Sequence, residues 1–159
     1  MAVKQTIAWI GNIKQQEDIL AKLAEHYRVL LVNKEGSAIT ALSQKLQSEV
    51  EIIDCVKDGC WEADIIVVTE EEIQEDLLVK VREVATQKIV LLITRTDKEG
   101  RHEGKLAQIC KALPFSKIAA ANLHPEETLL LGNNPAALST ASEMIRRLGF
   151  KIGGVRNET

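Results

Sequence analysis

A short polar turn after the first apolar run of the chain offers residue types that could bind a ligand. The run at 6–10 (Thr-Ile-Ala-Trp-Ile) ends at Gly11, and Asn12-Ile13-Lys14-Gln15-Gln16-Glu17 follows. A turn that binds pyrophosphate has the pattern G-x-G-x-x-G, because bare backbone lets the phosphates approach and small residues let helix and strand pack closely. Gly11 fills the first position, but Ile13 and Gln16 occupy the other two. The turn alone therefore does not establish phosphate binding.

Polar residues also follow later apolar runs. If these runs are strands of a parallel sheet, the polar residues lie at the carboxyl ends, where such sheets bind ligands. Asn33 and Lys34 follow the second run, and a basic residue there suits the 2′-phosphate of NADP. Thr69 and Thr94 end two further runs, and the planar guanidinium of Arg95 could bind a carboxylate or a phosphate. The alternative for Lys34 and Arg95 is an ordinary loop charge in solvent. The candidate cofactor-binding residues are Gly11, Asn12, Ile13, Asn33, Lys34, Thr69, Thr94 and Arg95.

Other reactive side chains lack the neighbours that catalysis needs. His124 precedes Pro125 at the edge of the expected cleft, but no partner for acid–base work is visible, so an ordinary loop histidine is favoured. The run Glu70-Glu71-Glu72 fits the start of a helix, where carboxylates are favourable. Cys60, before Trp61, is the cysteine expected to be more accessible. The histidines and cysteines show no metal-ligand spacing, and we expect no metal.

Composition indicates one globular domain spanning 1–159. Of the 159 residues, 45% are hydrophobic and only 3% aromatic, so an aliphatic core is expected. The net charge of −3 gives no reason to expect a nucleic-acid partner. No apolar stretch approaches the roughly 20 residues of a membrane span, and the first residues do not resemble a signal peptide. Three cysteines without a CxxC pair favour reduced thiols and a cytoplasmic location.

Strand and helix patterns alternate along the chain. Aliphatic runs predict strands, and apolar residues at helical spacing predict helices between them. Asn134, Pro135 and Gly149 are expected to cap, begin and end the last helix. This alternation predicts an α/β fold: a doubly wound, mostly parallel sheet in a three-layer αβα arrangement of the Rossmann type. The predicted strands are 6–10, 28–32, 50–55, 64–68, 89–94, 116–121, 128–131 and 150–155, and the predicted helices are 14–27, one from Ser37, 69–86, 105–113 and 135–148.

Three stretches resemble the NADP-binding domain of the deazaflavin (coenzyme F420)-dependent NADP oxidoreductases, a family similar to the pyrroline-5-carboxylate reductases. The runs at 62–69 and 88–94 resemble the family's fourth and fifth strands. The segment Gly132-Asn133-Asn134-Pro135, with Leu148-Gly149-Phe150 after it, is similar to its "Gly-Asp-Asp … Leu-Gly-Phe" pattern, and 114–122 resembles a segment with an Asn near the active face. The chain departs from the family at Thr69 and Arg95, where Val-Pro and a polar pair such as Asn-Pro are usual.

Two functions remain open at this point. The resemblance implies a nucleotide-binding protein, most plausibly for NADP, in which a flavin, a deazaflavin or a substrate docks on the same face for hydride transfer. It also implies a homodimer. The second is a non-catalytic Rossmann-like binding or dimerisation protein whose phosphate-binding turn has degenerated at Ile13 and Gln16. No catalytic residue is assigned under either reading.

Overall fold

Eight β-strands form one sheet in the part of the chain that the structure describes. The structure is a computed structural model that describes residues 4–11, 17–32, 50–53, 55–69, 75–94, 102–124, 126–132 and 134–156. Neighbouring strands are parallel except β6 and β7, and the order is β3-β2-β1-β4-β5-β6-β7-β8. The strands are β1 (Thr6–Ile10), β2 (Arg28–Val32), β3 (Val50–Ile53), β4 (Ile65–Thr69), β5 (Ile89–Thr94), β6 (Lys117–Asn122), β7 (Thr128–Gly132) and β8 (Ile152–Arg156).

The central strands are buried on both faces, which explains their continuous aliphatic sequences. Alternate side chains of a strand point to opposite faces. Ile7 and Trp9 of β1 join one hydrophobic cluster, while Ala8 and Ile10 join the other. The same alternation holds along β4 and β5. A strand with helices on both sides has no solvent face, so apolar residues fill every position.

Helices cover both faces of the sheet. In the described residues they are α1 (Glu17–His26), α2 (Val56–Glu62), α3 (Glu75–Arg82), α4 (His102–Ala112) and α5 (Pro135–Arg147). Side chains of α1 and α5 belong to the cluster on one face, and side chains of α2, α3 and α4 belong to the cluster on the other. The predicted three-layer, doubly wound α/β fold is therefore confirmed.

The order of the strands reverses between β1 and β4. From β1 the chain continues through α1 to β2 on one side, and from β3 it continues through α2 to β4 on the other side of β1. Helix α1, which follows β1, and helix α3, which follows β4, lie on opposite faces of the sheet. In doubly wound folds, ligands bind in a crevice at the carboxyl ends of the strands where the strand order reverses. The candidate ligand site must be sought here.

Several predicted boundaries are wrong. Helix α2 was not predicted: its seven residues are too few to show a helical period, and they include Gly59. Helix α4 begins at His102, inside the predicted polar loop, and α3 ends at Arg82 instead of Thr86. The positive φ of 67° at Gln87 belongs to the tight connection that follows α3. The helix predicted from Ser37 and the acidic run Glu70-Glu71-Glu72 lie outside the described residues.

The edge strand β8 contains a β-bulge. Thr128 pairs with Ile152 and Leu129 pairs with Gly154, so Gly153 is an extra residue opposite β7. A Cβ atom on Gly153 would lie 2.2 Å from Cγ of Glu127, whose side chain covers this position. Compared with the predicted range of 150–155, β8 begins two residues later and ends one residue later.

Helix α5 begins and ends as the sequence predicts. The Asn134 Oδ1 atom accepts a hydrogen bond of 3.0 Å from the backbone N–H of Ala137, and Pro135 is the first helical residue. After the helix, Gly149 has a φ of 84°, a conformation that favours glycine. Both ends of α5 are therefore determined by local interactions.

We expect Asn134→Ala to lower the free energy of unfolding by about 1 kcal/mol, because the N–H of Ala137 loses its acceptor. Urea denaturation followed by far-UV circular dichroism measures the change. Asn134→Ser keeps a capping oxygen and should be nearly as stable as the wild type. Ser139→Ala, at an exposed site on the same helix, controls for helix propensity. Equal stability of Asn134→Ala and Asn134→Ser would contradict the capping role.

Candidate functional site

Gly11 and Thr69 meet at the carboxyl ends of β1 and β4. Gly11 has a φ of 149°, and a Cβ atom placed on it would lie 1.9 Å from Oγ1 of Thr69. The Thr69 side chain is fully buried. Any side chain at position 11 would overlap Thr69, so the glycine is required by the packing of the two strands. The backbone at the crevice consequently remains bare where the turn begins.

A second polar pair joins the ends of β5 and β6. Thr94 and Asn122 are register partners, and the Thr94 hydroxyl donates a hydrogen bond of 3.1 Å to Oδ1 of Asn122. Thr94 is 2% exposed, whereas Asn122 is half-buried. Because the Asn122 carbonyl oxygen is the acceptor, its amide NH2 group can donate to a ligand.

The two pairs lie on opposite faces of the same sheet edge. By the alternation of side chains along each strand, Thr69 shares a face with Val67, on the side of α1 and α5. Thr94 shares a face with Leu92, on the side of α2, α3 and α4. The structure therefore places Gly11 with Thr69 and Thr94 with Asn122, and it does not bring all the predicted residues into one cluster.

Five predicted site residues lie outside the described part of the chain: Asn12, Ile13, Asn33, Lys34 and Arg95. Asn122 was not among the predicted binding residues, although the segment that contains it was noted for its resemblance to a family segment with an Asn. Its bond to Thr94 depends on the register of β5 and β6, which the sequence does not reveal. A polar residue that follows an apolar run at 118–121 was the available signal.

The loop that follows β6 holds His124 at the same edge. The backbone N–H of His124 donates to Oγ1 of Thr128 at 3.1 Å, and the Thr128 hydroxyl donates to the carbonyl oxygen of His124 at 2.7 Å. The Nδ1 atom of the exposed His124 ring accepts a bond of 3.2 Å from the N–H of Glu126. The histidine is thus fixed to the start of β7.

Cys60 is buried, so the expectation that it would be the more accessible cysteine is wrong. The Cys60 side chain, which belongs to α2, is fully buried. Burial raises the pKa of its thiol to about 12, although the Lys88 ammonium partly opposes the rise. Lys88 donates to the carbonyl oxygens of Cys60 and Trp61, and desolvation lowers the pKa of its ammonium group. These contacts complete the C-terminal end of α2 and do not form a reactive thiol site.

The described ranges of the chain contain neither a cluster of metal ligands nor a helix that could span a membrane. No three His, Cys, Asp or Glu side chains within those ranges are grouped as metal ligands. None of the helices described there has the length and apolar character needed to cross a membrane.

Comparison with known proteins places this geometry in a structural class. No protein-family model and no curated protein matches the chain. Solved structures do match. A protein from Arthrobacter sp. FB24 named as an F420-dependent NADP reductase has a TM-score of 0.72 and 16% identity, over 96% of this chain and 84% of its own.

Two further reductases have the same fold. The imine reductase from Myxococcus stipitatus in complex with NADP+ matches 96% of this chain and 54% of its own, with a TM-score of 0.68 and 18% identity. A pyrroline-5-carboxylate reductase from Coxiella burnetii matches 99% of this chain and 60% of its own, with a TM-score of 0.68 and 16% identity. This chain spans about half to two thirds of the length of several similar structures.

These identities are low enough that the likeness establishes the fold alone. The chain has the Rossmann-like fold of NAD(P)-binding domains. The resemblance to the F420-dependent NADP reductases and the pyrroline-5-carboxylate reductases, inferred from the sequence, is confirmed at the level of structure.

We expect Gly11→Ala to destabilise the chain by roughly 2–4 kcal/mol, because the new Cβ overlaps Thr69 and strains the backbone. Gly149→Ala is a matched control: its φ is also positive, at 84°, but its Cβ would be 3.5 Å from Nζ of Lys22 and meets no clash. Denaturant unfolding of both variants separates steric overlap from backbone strain. If both lose the same stability, the Gly11–Thr69 contact is not the constraint described.

We expect the free energy of unfolding to fall as the pH rises from about 8.5 towards about 12, because the Cys60 thiol ionises only in the unfolded chain over this range. Below about pH 8.5 the Cys60 thiol is protonated in both the folded and the unfolded chain, so its full contribution to stability is present. The loss is on the order of 2 kcal/mol at pH 10. Urea unfolding of the wild type and of Cys60→Ala at pH 8 and pH 10 measures it. An identical pH dependence in both proteins would rule out the buried thiol as its cause.

Proposed function

We propose that the chain binds NADP(H) across the carboxyl edge of the sheet and acts as an oxidoreductase domain. The bare backbone of Gly11, directly after β1 and beside the point where the strand order reverses, is the observation that most supports this proposal. Dinucleotides bind in Rossmann folds at this crevice, with one nucleotide over each half of the sheet.

The adenosine half would lie over β1 and β2. In the proposal, Gly11, Asn12 and Ile13 face the pyrophosphate through their backbone, and Asn33 and Lys34 face the adenosine ribose. The Lys34 ammonium would pair with a 2′-phosphate, which favours NADP over NAD. The side chain of Ile13 must turn away from the backbone for a phosphate to approach.

The nicotinamide half would lie over β4, β5 and β6. Thr69 and Thr94 end two of these strands, and Arg95 follows Thr94 directly. The described residues fit this role because the edge offers neutral hydrogen-bonding groups, including the half-buried Asn122 amide. The bound cofactor would supply the hydride, and these side chains would orient the ring.

Similar structures support a reductase over a non-catalytic binding protein. The names of the F420-dependent NADP reductase, the imine reductase and the pyrroline-5-carboxylate reductase all state a reduction, and the imine reductase structure contains NADP+. We extend the proposal to a single domain over 1–159 that works as a homodimer in the cytoplasm, on the basis of the same resemblance.

A thermal-shift titration tests the proposal. NADP+ at a hundred times its dissociation constant should stabilise the chain by about 2.7 kcal/mol, and NAD+ should give a smaller shift at equal concentration. Lys34→Ala should weaken NADP+ binding and leave NAD+ binding unchanged. Lys151→Ala removes an exposed lysine after α5 and should change neither.

Replacing Ile13 and Gln16 by glycine provides the complementary test. If the glycines increase NADP+ affinity, the turn is the element that limits binding. The absence of a shift with either nucleotide, in the wild type and in the double variant, would overturn the proposed function.

A further inference from the structure

A backbone hydrogen bond to the His124 ring favours one of its two neutral tautomers. Its Nδ1 atom accepts the N–H of Glu126, so Nδ1 carries no proton in this geometry. A neutral imidazole protonated on only one nitrogen must then carry its hydrogen on Nε2. Since the ring is exposed at the carboxyl end of β6, the Nε2–H group is available as a hydrogen-bond donor.

Nothing in the described surroundings turns this histidine into an acid–base relay. The Glu126 carboxylate lies 3.7 Å from Nζ of Lys151, so it is engaged away from the imidazole. In the form with hydrogen on Nε2, the ring can donate a hydrogen bond to an acceptor through Nε2–H. Thr128 fixes the backbone of His124 from both sides and thereby fixes this donor.

The Asn122 amide is a second neutral donor on the same strand end. Its Oδ1 atom is occupied by the Thr94 hydroxyl, which leaves the NH2 group to donate. Asn122 and His124 are two residues apart where β6 ends, over the half of the sheet proposed to receive the nicotinamide. Both N–H groups belong to residues at the carboxyl end of β6, at the edge proposed to receive the nicotinamide.

We propose that the substrate is a carbonyl compound whose oxygen accepts hydrogen bonds from His124 Nε2–H and the Asn122 amide. The inference rests on the proposed function and adds the substrate class to it. Hydride addition to a C=O group places negative charge on oxygen, which N–H donors stabilise. Hydride addition to a protonated imine removes positive charge instead, and donors aimed at that nitrogen would not favour it.

The reaction balances without a further reactant. Bound NADPH would supply a hydride to the carbonyl carbon, and the C=O π pair would become a lone pair of the alkoxide that the N–H groups of His124 and Asn122 stabilise. NADPH would thereby be oxidised to NADP+, and the carbonyl compound would be reduced to an alcohol. The alkoxide would take its proton from water, which leaves hydroxide.

The ring form is tested without any substrate. Long-range 1H–15N NMR of the full chain at pH 8 resolves its three histidines, and the His124 signals are identified by their loss in His124→Asn. We expect the form with hydrogen on Nε2. Hydrogen on Nδ1 would overturn the inference.

Turnover tests the substrate class. With NADPH as reductant, absorbance at 340 nm is followed with a panel of small aldehydes, ketones and 2-oxo acids and with cyclic imines of matched size. We expect oxidation of NADPH with at least one carbonyl compound and none with the imines. Reduction of imines alone overturns the inference, and so does a lack of all turnover when NADPH is bound.

Three variants separate the effect on kcat of losing the Nε2–H donor from the effect of disturbing the loop that contains His124. His124→Asn keeps an acceptor for Glu126 but lacks a donor at the Nε2 position, so kcat should fall about 100-fold. His124→Gln places an amide N–H near that position and should regain part of the rate. His26→Asn, at the exposed end of α1, should match the wild type. A wild-type kcat in His124→Asn overturns the inference.

NADPH binding distinguishes the two proposals. Thermal shifts with NADPH should be equal in the wild type and all three histidine variants, because none of these side chains is proposed to bind the phosphates. A normal shift without carbonyl turnover overturns only the substrate class. The absence of any shift overturns the proposed function, and the substrate inference fails with it.

Discussion

The contact between Gly11 and Thr69 is the constraint on which the carboxyl edge of the sheet depends. A Cβ atom at position 11 would come within 1.9 Å of the Thr69 hydroxyl, so β1 and β4 can meet there only when one of them lacks a side chain. These two strands contribute to the hydrophobic clusters on both faces. Separating them would disturb both layers of helices at once, as well as the crevice between them.

The same glycine therefore has a structural role that does not depend on a ligand. In the G-x-G-x-x-G pattern, the first glycine provides the tight turn and the second provides access to the pyrophosphate. This chain keeps the residue that strand packing requires, and it has Ile13 where access is needed. The glycine that strand packing requires also leaves the backbone bare at the point where the proposed pyrophosphate site begins.

The strands could be predicted because burial on both faces leaves an unambiguous aliphatic signal. Thr6–Ile10, Arg28–Val32 and Ile89–Thr94 agree with prediction at both ends. The last helix could be predicted because Asn134 and Gly149 act on the backbone locally. Helix α2 could not, since seven residues with a central glycine show no period. Its stability comes from packing against β2, where Gly59 faces Val32.

The site was less predictable than the fold for a related reason. Thr94 ends its strand visibly in the sequence, but its partner Asn122 is 28 residues away and becomes a neighbour only through the pairing of β5 with β6. The orientation of the His124 ring depends on Thr128 and on the Glu126 amide, two contacts that have no sequence signature. Residue type and position predicted the edge of the sheet that carries the site, and only the three-dimensional contacts identified the atoms that can bind a ligand there.

The bulge at Gly153 limits how copies of this chain could assemble. An exposed sheet edge is normally a template for adding another strand, and a bulge interrupts the regular spacing of backbone groups that such pairing requires. Here the side chain of Glu127 also lies over the bulged residue and brings a carboxylate to the margin of β8. A continuous sheet running from one subunit into the next is accordingly disfavoured along β8.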